Sequence, residues 1–120
     1  MPIHESGEMY LESIFLLGRK NGAVRSMDIA EHMNFSKPSV SRAVGLLKKG
    51  GFIEMDKDGY ITLTDVGESV AQKIYDRHTT LTAFLVGLGV PADVAADDAC
   101  KMEHDISDIS FEAIKQHTKQ

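Results

Sequence analysis

Residues 36–50 read Ser-Lys-Pro-Ser-Val-Ser-Arg-Ala-Val-Gly-Leu-Leu-Lys-Lys-Gly, and the spacing of their apolar members decides the fold. Val40, Ala43, Val44 and Leu47 fall at i, i+3, i+4 and i+7, the stripe of one helical face. The other side carries Ser39, Ser41, Arg42, Gly45, Lys48 and Lys49, short hydroxyls and cations suited to phosphates and base edges. Pro38 belongs in the first turn, where a missing N–H costs nothing. Immediately upstream, 26–33 predicts a second short helix, with Ser26 as N-cap and Ile29, Ala30 and Met33 facing inward. Only Asn34, Phe35 and Ser36 separate the two. So tight a connection predicts a helix-turn-helix whose second helix suits a DNA major groove. Taken alone, the pattern also fits a helical hairpin with a solvated charged face.

The next residues separate these readings. Phe52–Asp56 and Tyr60–Thr64 alternate apolar and polar residues and close on Lys57-Asp58-Gly59. Asp-Gly is expected to supply the positive φ angles of a tight hairpin. Three helices followed by a two-stranded hairpin describe a winged helix, a far more specific order than any one element.

Composition narrows the rest. At 120 residues and 42% hydrophobic content, the chain can bury one core, or one small domain with a helical appendage. The longest apolar stretch, Ala83–Val90, is too short to span a bilayer, and the acidic N-terminus does not resemble a secretory signal, so a cytoplasmic location is expected. A single cysteine, Cys100, excludes an internal disulfide. The net charge of −5 opposes constitutive nucleic-acid binding, but its distribution matters more. Residues 36–58 hold five cations against three acids, and 65–120 hold ten acids against five cations. An acidic C-terminal half points to a cationic ligand, with a divalent metal the obvious candidate.

In chain order, Gly7–Leu17 predicts a first helix with Tyr10, Ile14 and Leu17 on one face, Met9 and Glu12 adjacent at i and i+3, and Asn21-Gly22 as its end. A long helix is expected from Thr64-Asp65 to about Val86, with Val66, Val70, Ile74, His78, Leu81 and Leu85 as its inward stripe. A histidine in such a stripe is, by itself, more often a satisfied core residue than a ligand. After the break at Gly87 and Gly89, Pro91 to about His104 predicts another helix. On it Cys100, Glu103 and His104 project from one face, and thiolate, carboxylate and imidazole are ordinary ligands of first-row transition metals. The bland alternative is a buried cysteine beside a solvated Glu-His pair. A last amphipathic segment, Ser107 to Lys119, carries Ile109, Phe111 and Ile114.

With these residues laid out, the chain resembles the diphtheria toxin repressor family of iron- and manganese-dependent transcriptional regulators over nearly its whole length. The anchors are Glu8-Met9-Tyr10-Leu11-Glu12, Ser-x-Pro-Ser-Val-Ser at 36–41, Leu63-Thr64-x-x-Gly67, Arg77-His78, Asp98-Ala-Cys-Lys-Met-Glu-His104 and Ser107. The resemblance implies a mainly α protein: an N-terminal winged helix over 1–64, then a helical metal-binding and dimerisation domain over 65–120, with 65–75 as the linking part of the long helix. It implies that Met9, Cys100, Glu103 and His104 hold the activating metal. His78 matches a histidine belonging to a second metal. Thr82 and Ala96 stand where the iron branch offers a glutamate and a histidine, so an iron-type second site is incomplete. Glu12 matches a manganese-branch ligand, which leaves Glu12, His78 and Cys100 as candidates for a second ion. The SH3-like third domain of longer members has no counterpart in these 120 residues, the pattern of a short two-domain member.

The function expected is a metal-activated repressor, a homodimer that binds a palindromic operator in double-stranded DNA through Ser36, Lys37, Pro38, Ser39, Ser41, Arg42 and the wing residue Lys57. Leu81, Phe84, Leu85, Val86 and Leu88 are expected to supply the apolar dimer surface. Met9 and Cys100 point to Fe²⁺ as effector, with Mn²⁺ the alternative, because thioether and thiolate favour ions later in the Irving–Williams order. No small organic ligand, membrane or catalytic activity is implied; no His-Glu-x-x-His, nucleophile elbow or phosphate loop occurs. A metal-independent winged helix is the competing reading.

Overall fold

A computed structural model describes residues 5–118, so the expected helix end at Lys119 and the first four residues lie outside the description. Six helices and one hairpin follow in order: α1 (Glu5–Asn21), α2 (Ser26–Met33), α3 (Lys37–Lys49), β1 (Ile53–Met55), β2 (Ile61–Leu63), α4 (Asp65–Gly87), α5 (Ala92–Met102) and α6 (Asp108–Thr118). They form two compact units, Met1–Gln72 and Lys73–Gln120, with α4 running from one into the other.

In the first unit, Tyr10, Leu11, Ile14 and Leu17 of α1 pack with Ile29 and Ala30 of α2 and Val40, Val44 and Leu47 of α3. The helix-turn-helix is therefore held by the stripes that periodicity marks. Its turn depends on Asn34, which takes the left-handed conformation (φ 57°) and donates its N–H to the Ala30 carbonyl. The N-cap of α2 is Arg25 rather than the expected Ser26; Asp28 reaches back, and its Oδ2 accepts the Arg25 N–H at 2.9 Å. The Asp28 carboxylate thus satisfies the N–H of the cap residue itself, whereas a Ser26 hydroxyl as cap accepts an N–H further into the helix. At α3 Ser36 is the N-cap: its Oγ accepts the Ser39 N–H at 3.3 Å, with Pro38 in the first turn as expected.

The wing is an antiparallel pair in the register Ile53–Leu63, Glu54–Thr62 and Met55–Ile61. Each strand is one residue shorter at both ends than alternation suggests. At the turn end the cause is Asp56, whose Oδ1 accepts the N–H groups of Asp58 and Tyr60, both at 2.9 Å, and so turns the chain early. Gly59 has φ 85°, whereas Asp58 stays at negative φ. Of the Asp-Gly pair expected to supply positive φ, only the glycine does so, and it holds the left-handed position of the loop.

At the base of the wing, Thr64 ties three elements. Its N–H donates to Phe52 O (3.1 Å), its hydroxyl donates to Gly51 O (2.7 Å), and the same oxygen accepts the N–H of Gly67 (3.1 Å). The first turn of α4 consequently lies against the wing backbone so closely that a Cβ on Gly67 would sit 2.0 Å from Phe52 O. This contact turns α4 away from the expected stripe. The line facing inward is Gly67, Ala71, Ile74, Arg77 and Leu81, whereas Val66 is 58% exposed. Small residues gain close approach here, which a search for apolar residues does not detect.

The second unit has a smaller core of Leu81, Ala99 and Phe111, flanked by Met102, Ile106 and Ile114. Leu81, expected on a dimer surface, is thus interior. Val86 and Leu88 at the end of α4 are exposed, and Phe84 and Leu85 half-buried. Lys115 Nζ meets Asp76 Oδ2 at 2.9 Å, pairing α6 with α4.

Candidate metal centre and DNA-reading face

In the second unit the side chains at the end of α5 converge on one carboxylate. Glu103 is wholly buried, with Oε2 2.9 Å from His78 Nδ1 and Oε1 3.3 Å from His104 Nε2. The His104 side chain is 1% exposed and that of His78 29%. A buried carboxylate is costly unless charged or polar partners face it, and here two imidazoles do. This donor set suits a divalent cation of the first transition row, since imidazole nitrogen and carboxylate oxygen are its standard ligands.

The expected helix through His104 stops at Met102. Glu103 is the C-cap, its N–H on Ala99 O at 2.9 Å, and His104 stands in the following turn. Cys100 lies one turn upstream and is exposed, so the three residues read as one face differ in burial. Met9 and Glu12 lie three residues apart on α1 in the first unit, both half-buried. His78, assigned by resemblance to a second metal, is joined to Glu103.

Arg77 holds this arrangement in place, a role that periodicity does not assign. It is buried within α4, its Nη1 donating to the carbonyls of Glu103 (3.0 Å) and Ile106 (2.8 Å) and its Nη2 to Asp108 Oδ1. Its guanidinium also lies over Phe111, 5.3 Å from the centroid. The loop carrying Glu103 and His104 is thereby pinned to α4 by one rigid fork. Arg77 lies outside the stripe that periodicity marks, and only its partners reveal the role.

Lys73 and Arg77 act together on Asp108. The hydrogen bond and charge of Lys73, then those of Arg77, hold the Asp108 carboxyl below its ordinary value of 3.8. Because the folded value is depressed, this contribution to stability is complete above the unfolded value and is lost as pH falls through the folded one. Asp108→Asn is expected to lower the urea midpoint of the C-terminal unit at neutral pH and to flatten its decline below about pH 4. Parallel curves for variant and unaltered protein would show that the ion pair carries no stability.

On the first unit, Ser36, Lys37, Pro38, Ser39, Ser41 and Arg42 are all exposed along the start of α3, and Lys57 is exposed on the wing turn. Ser36 Oγ and Ser39 Oγ lie 2.9 Å apart.

Comparison with known proteins agrees with both halves. Residues 3–61 match the iron dependent repressor N-terminal DNA binding domain, and residues 64–120 match the iron dependent repressor metal binding and dimerisation domain. The chain belongs to the iron-dependent repressor family. It is 34% identical over 113 residues to an HTH-type transcriptional regulator of Methanocaldococcus jannaschii, covering 92% of this chain and 90% of the relative. To the transcriptional regulator MntR of Escherichia coli O157:H7 it is 35% identical over 111 residues, covering 92% of this chain and 72% of that one. Among solved structures, the manganese regulator SloR superposes with a TM-score of 0.83 at 29% identity, and the metal-dependent transcriptional regulator MtsR with 0.87 at 26%. Those matches cover 99% and 94% of this chain, which spans 55% and 53% of the two solved chains. As a member of this family of metal-dependent transcriptional repressors, the chain pairs a winged-helix DNA-binding domain with a metal-binding and dimerisation domain. Among the described residues, no helix is long and apolar enough to cross a membrane.

Proposed function

We propose that this repressor is a cytoplasmic homodimer that binds a palindromic operator when loaded with Fe²⁺, Mn²⁺ being a weaker activator. The observation that carries the metal reading is the buried Glu103 carboxylate with His78 and His104 on either side. The family pattern adds Met9 and Cys100 as ligands, with Glu12 and His78 as further donors. A bound cation supplies positive charge and directional bonds that hold its ligands together. Glu103 and His104 are presented for this by the Arg77 fork. The DNA contacts proposed are Ser36, Lys37, Pro38, Ser39, Ser41, Arg42 and Lys57, with Arg42 reading a guanine. Exposed Val86 and Leu88 and half-buried Phe84 and Leu85 support dimerisation through the C-terminal unit.

Iron is favoured by the soft donors Met9 and Cys100. The hard ligand Glu12, together with the likeness to the manganese regulator SloR, favours manganese. The test selects a binding site from random duplexes, then measures binding to it against free Fe²⁺ (anaerobically) and free Mn²⁺. Half-maximal binding at lower free Fe²⁺ is expected, with inverted repeats among the selected sites. Glu103→Gln should lose the metal response while keeping its helical circular dichroism. Response at lower free Mn²⁺ would make manganese the effector. Binding indifferent to metals and chelator would leave a metal-independent winged helix.

A further inference from the structure

The start of α2 and the wing are joined by a backbone hydrogen bond, Ile61 N–H to Val24 O at 2.7 Å, between two buried residues. The residues beside this bond, Arg25 and Tyr60, are both exposed, and Arg25 Cζ stands 4.3 Å from the Tyr60 ring centroid. Tyr60 is itself fixed by its backbone, donating to Asp56 Oδ1 and accepting the Asp56 N–H at 3.0 Å. The backbone that carries the ring is therefore held in place.

Asp28 Oδ2 accepts the backbone N–H of Arg25, and Asp56 Oδ1 caps the wing turn. Among the described residues the Arg25 guanidinium forms no ion pair. A guanidinium stacked on a ring keeps its N–H groups at the edge, available to an oxyanion, and stacking restricts the side chain before any partner arrives. A phosphate diester offers the matching oxygens. From this geometry we infer that Arg25 is a DNA-backbone phosphate contact of the reading head, lying outside the recognition helix, with Tyr60 as its positioning residue. The inference rests on the DNA-binding reading proposed above. As a phosphate contact, Arg25 supplies affinity without sequence preference.

The experiment compares binding of the metal-loaded protein to the selected site and to random-sequence duplex across a salt series. Arg25→Ala is expected to weaken both duplexes by the same factor, roughly three- to tenfold, and to reduce the salt slope by about one per reading head. Tyr60→Leu should reduce the slope in the same direction, whereas Tyr60→Phe, which keeps the ring, should retain it. Arg42→Ala serves as contrast and should weaken the selected site far more than random DNA. An unchanged slope with Arg25→Ala overturns the inference, and if the melting temperature also falls the stack is structural only. Should Arg42→Ala keep its selective loss while Arg25→Ala has no effect, the DNA reading stands and this inference falls. Failure of the unaltered, metal-loaded protein to bind either duplex overturns both.

Discussion

Gly67→Ala is expected to destabilise the N-terminal unit by about 3 kcal/mol or more, a large loss for one methyl group. The added Cβ would lie 2.0 Å from Phe52 O and 2.9 Å from Phe52 C, and the obstacle is backbone that no rotamer change can move. Relief requires the first turn of α4 to lift from the wing. That movement would break the hydrogen bonds of Thr64 to Gly51 O and Phe52 O. Gly45→Ala is the contrasting case: nothing lies within 4 Å of its added Cβ, and helix propensity favours alanine by up to about 1 kcal/mol. Urea unfolding of the two variants should therefore give shifts of opposite sign. Equal stability of Gly67→Ala and the unaltered protein would show that α4 does not press on the wing.

Arg77→Ala should cost the C-terminal unit about 2–4 kcal/mol, because the carbonyls of Glu103 and Ile106 lose their donor. The loss of the Asp108 pair adds less, since Asp108 is 71% exposed and water can solvate it. The larger functional consequence is expected at the metal. Glu103 and His104 sit on the loop that Arg77 pins, and removing such support typically lowers metal affinity about 10- to 100-fold. Arg77→Lys should not restore it, because one ammonium on a flexible stem does not reproduce a planar fork spanning two carbonyls and a carboxylate. Isothermal titration with Mn²⁺, beside urea unfolding, measures both quantities. Native metal affinity in a destabilised Arg77→Ala would reduce Arg77 to a purely structural role.

Both residues bear on what could be read in advance. The helix-turn-helix follows from the 3.6-residue periodicity of α1, α2 and α3, since each helix buries the stripe its own sequence marks. The wing follows from alternation and turn chemistry. Its shorter strands and altered loop come from the Asp56 carboxylate, whose choice of backbone donors is local but not periodic. At its start the α4 stripe lies one residue beyond the position that apolar character marks, because close packing there favours a residue without a side chain. Val66 is exposed, and Gly67 takes the interior position.

Before it folds, the chain already specifies a winged helix with a net-cationic stretch over 36–58 and an acidic C-terminal half. It also groups Cys100, Glu103 and His104 as side chains of ligand chemistry, whereas spacing alone reads His78 as a core residue. Those properties depend on residue type and short-range spacing, which the chain carries before it folds. Tertiary packing alone brings His78 to Glu103 from 25 residues away and lets Arg77 span 26 and 31 residues to Glu103 and Asp108. It likewise decided that Gly67 must lack a side chain. Such facts arise where two distant segments pack, and the spacing of residues along one helix carries no information about the backbone that will lie against it.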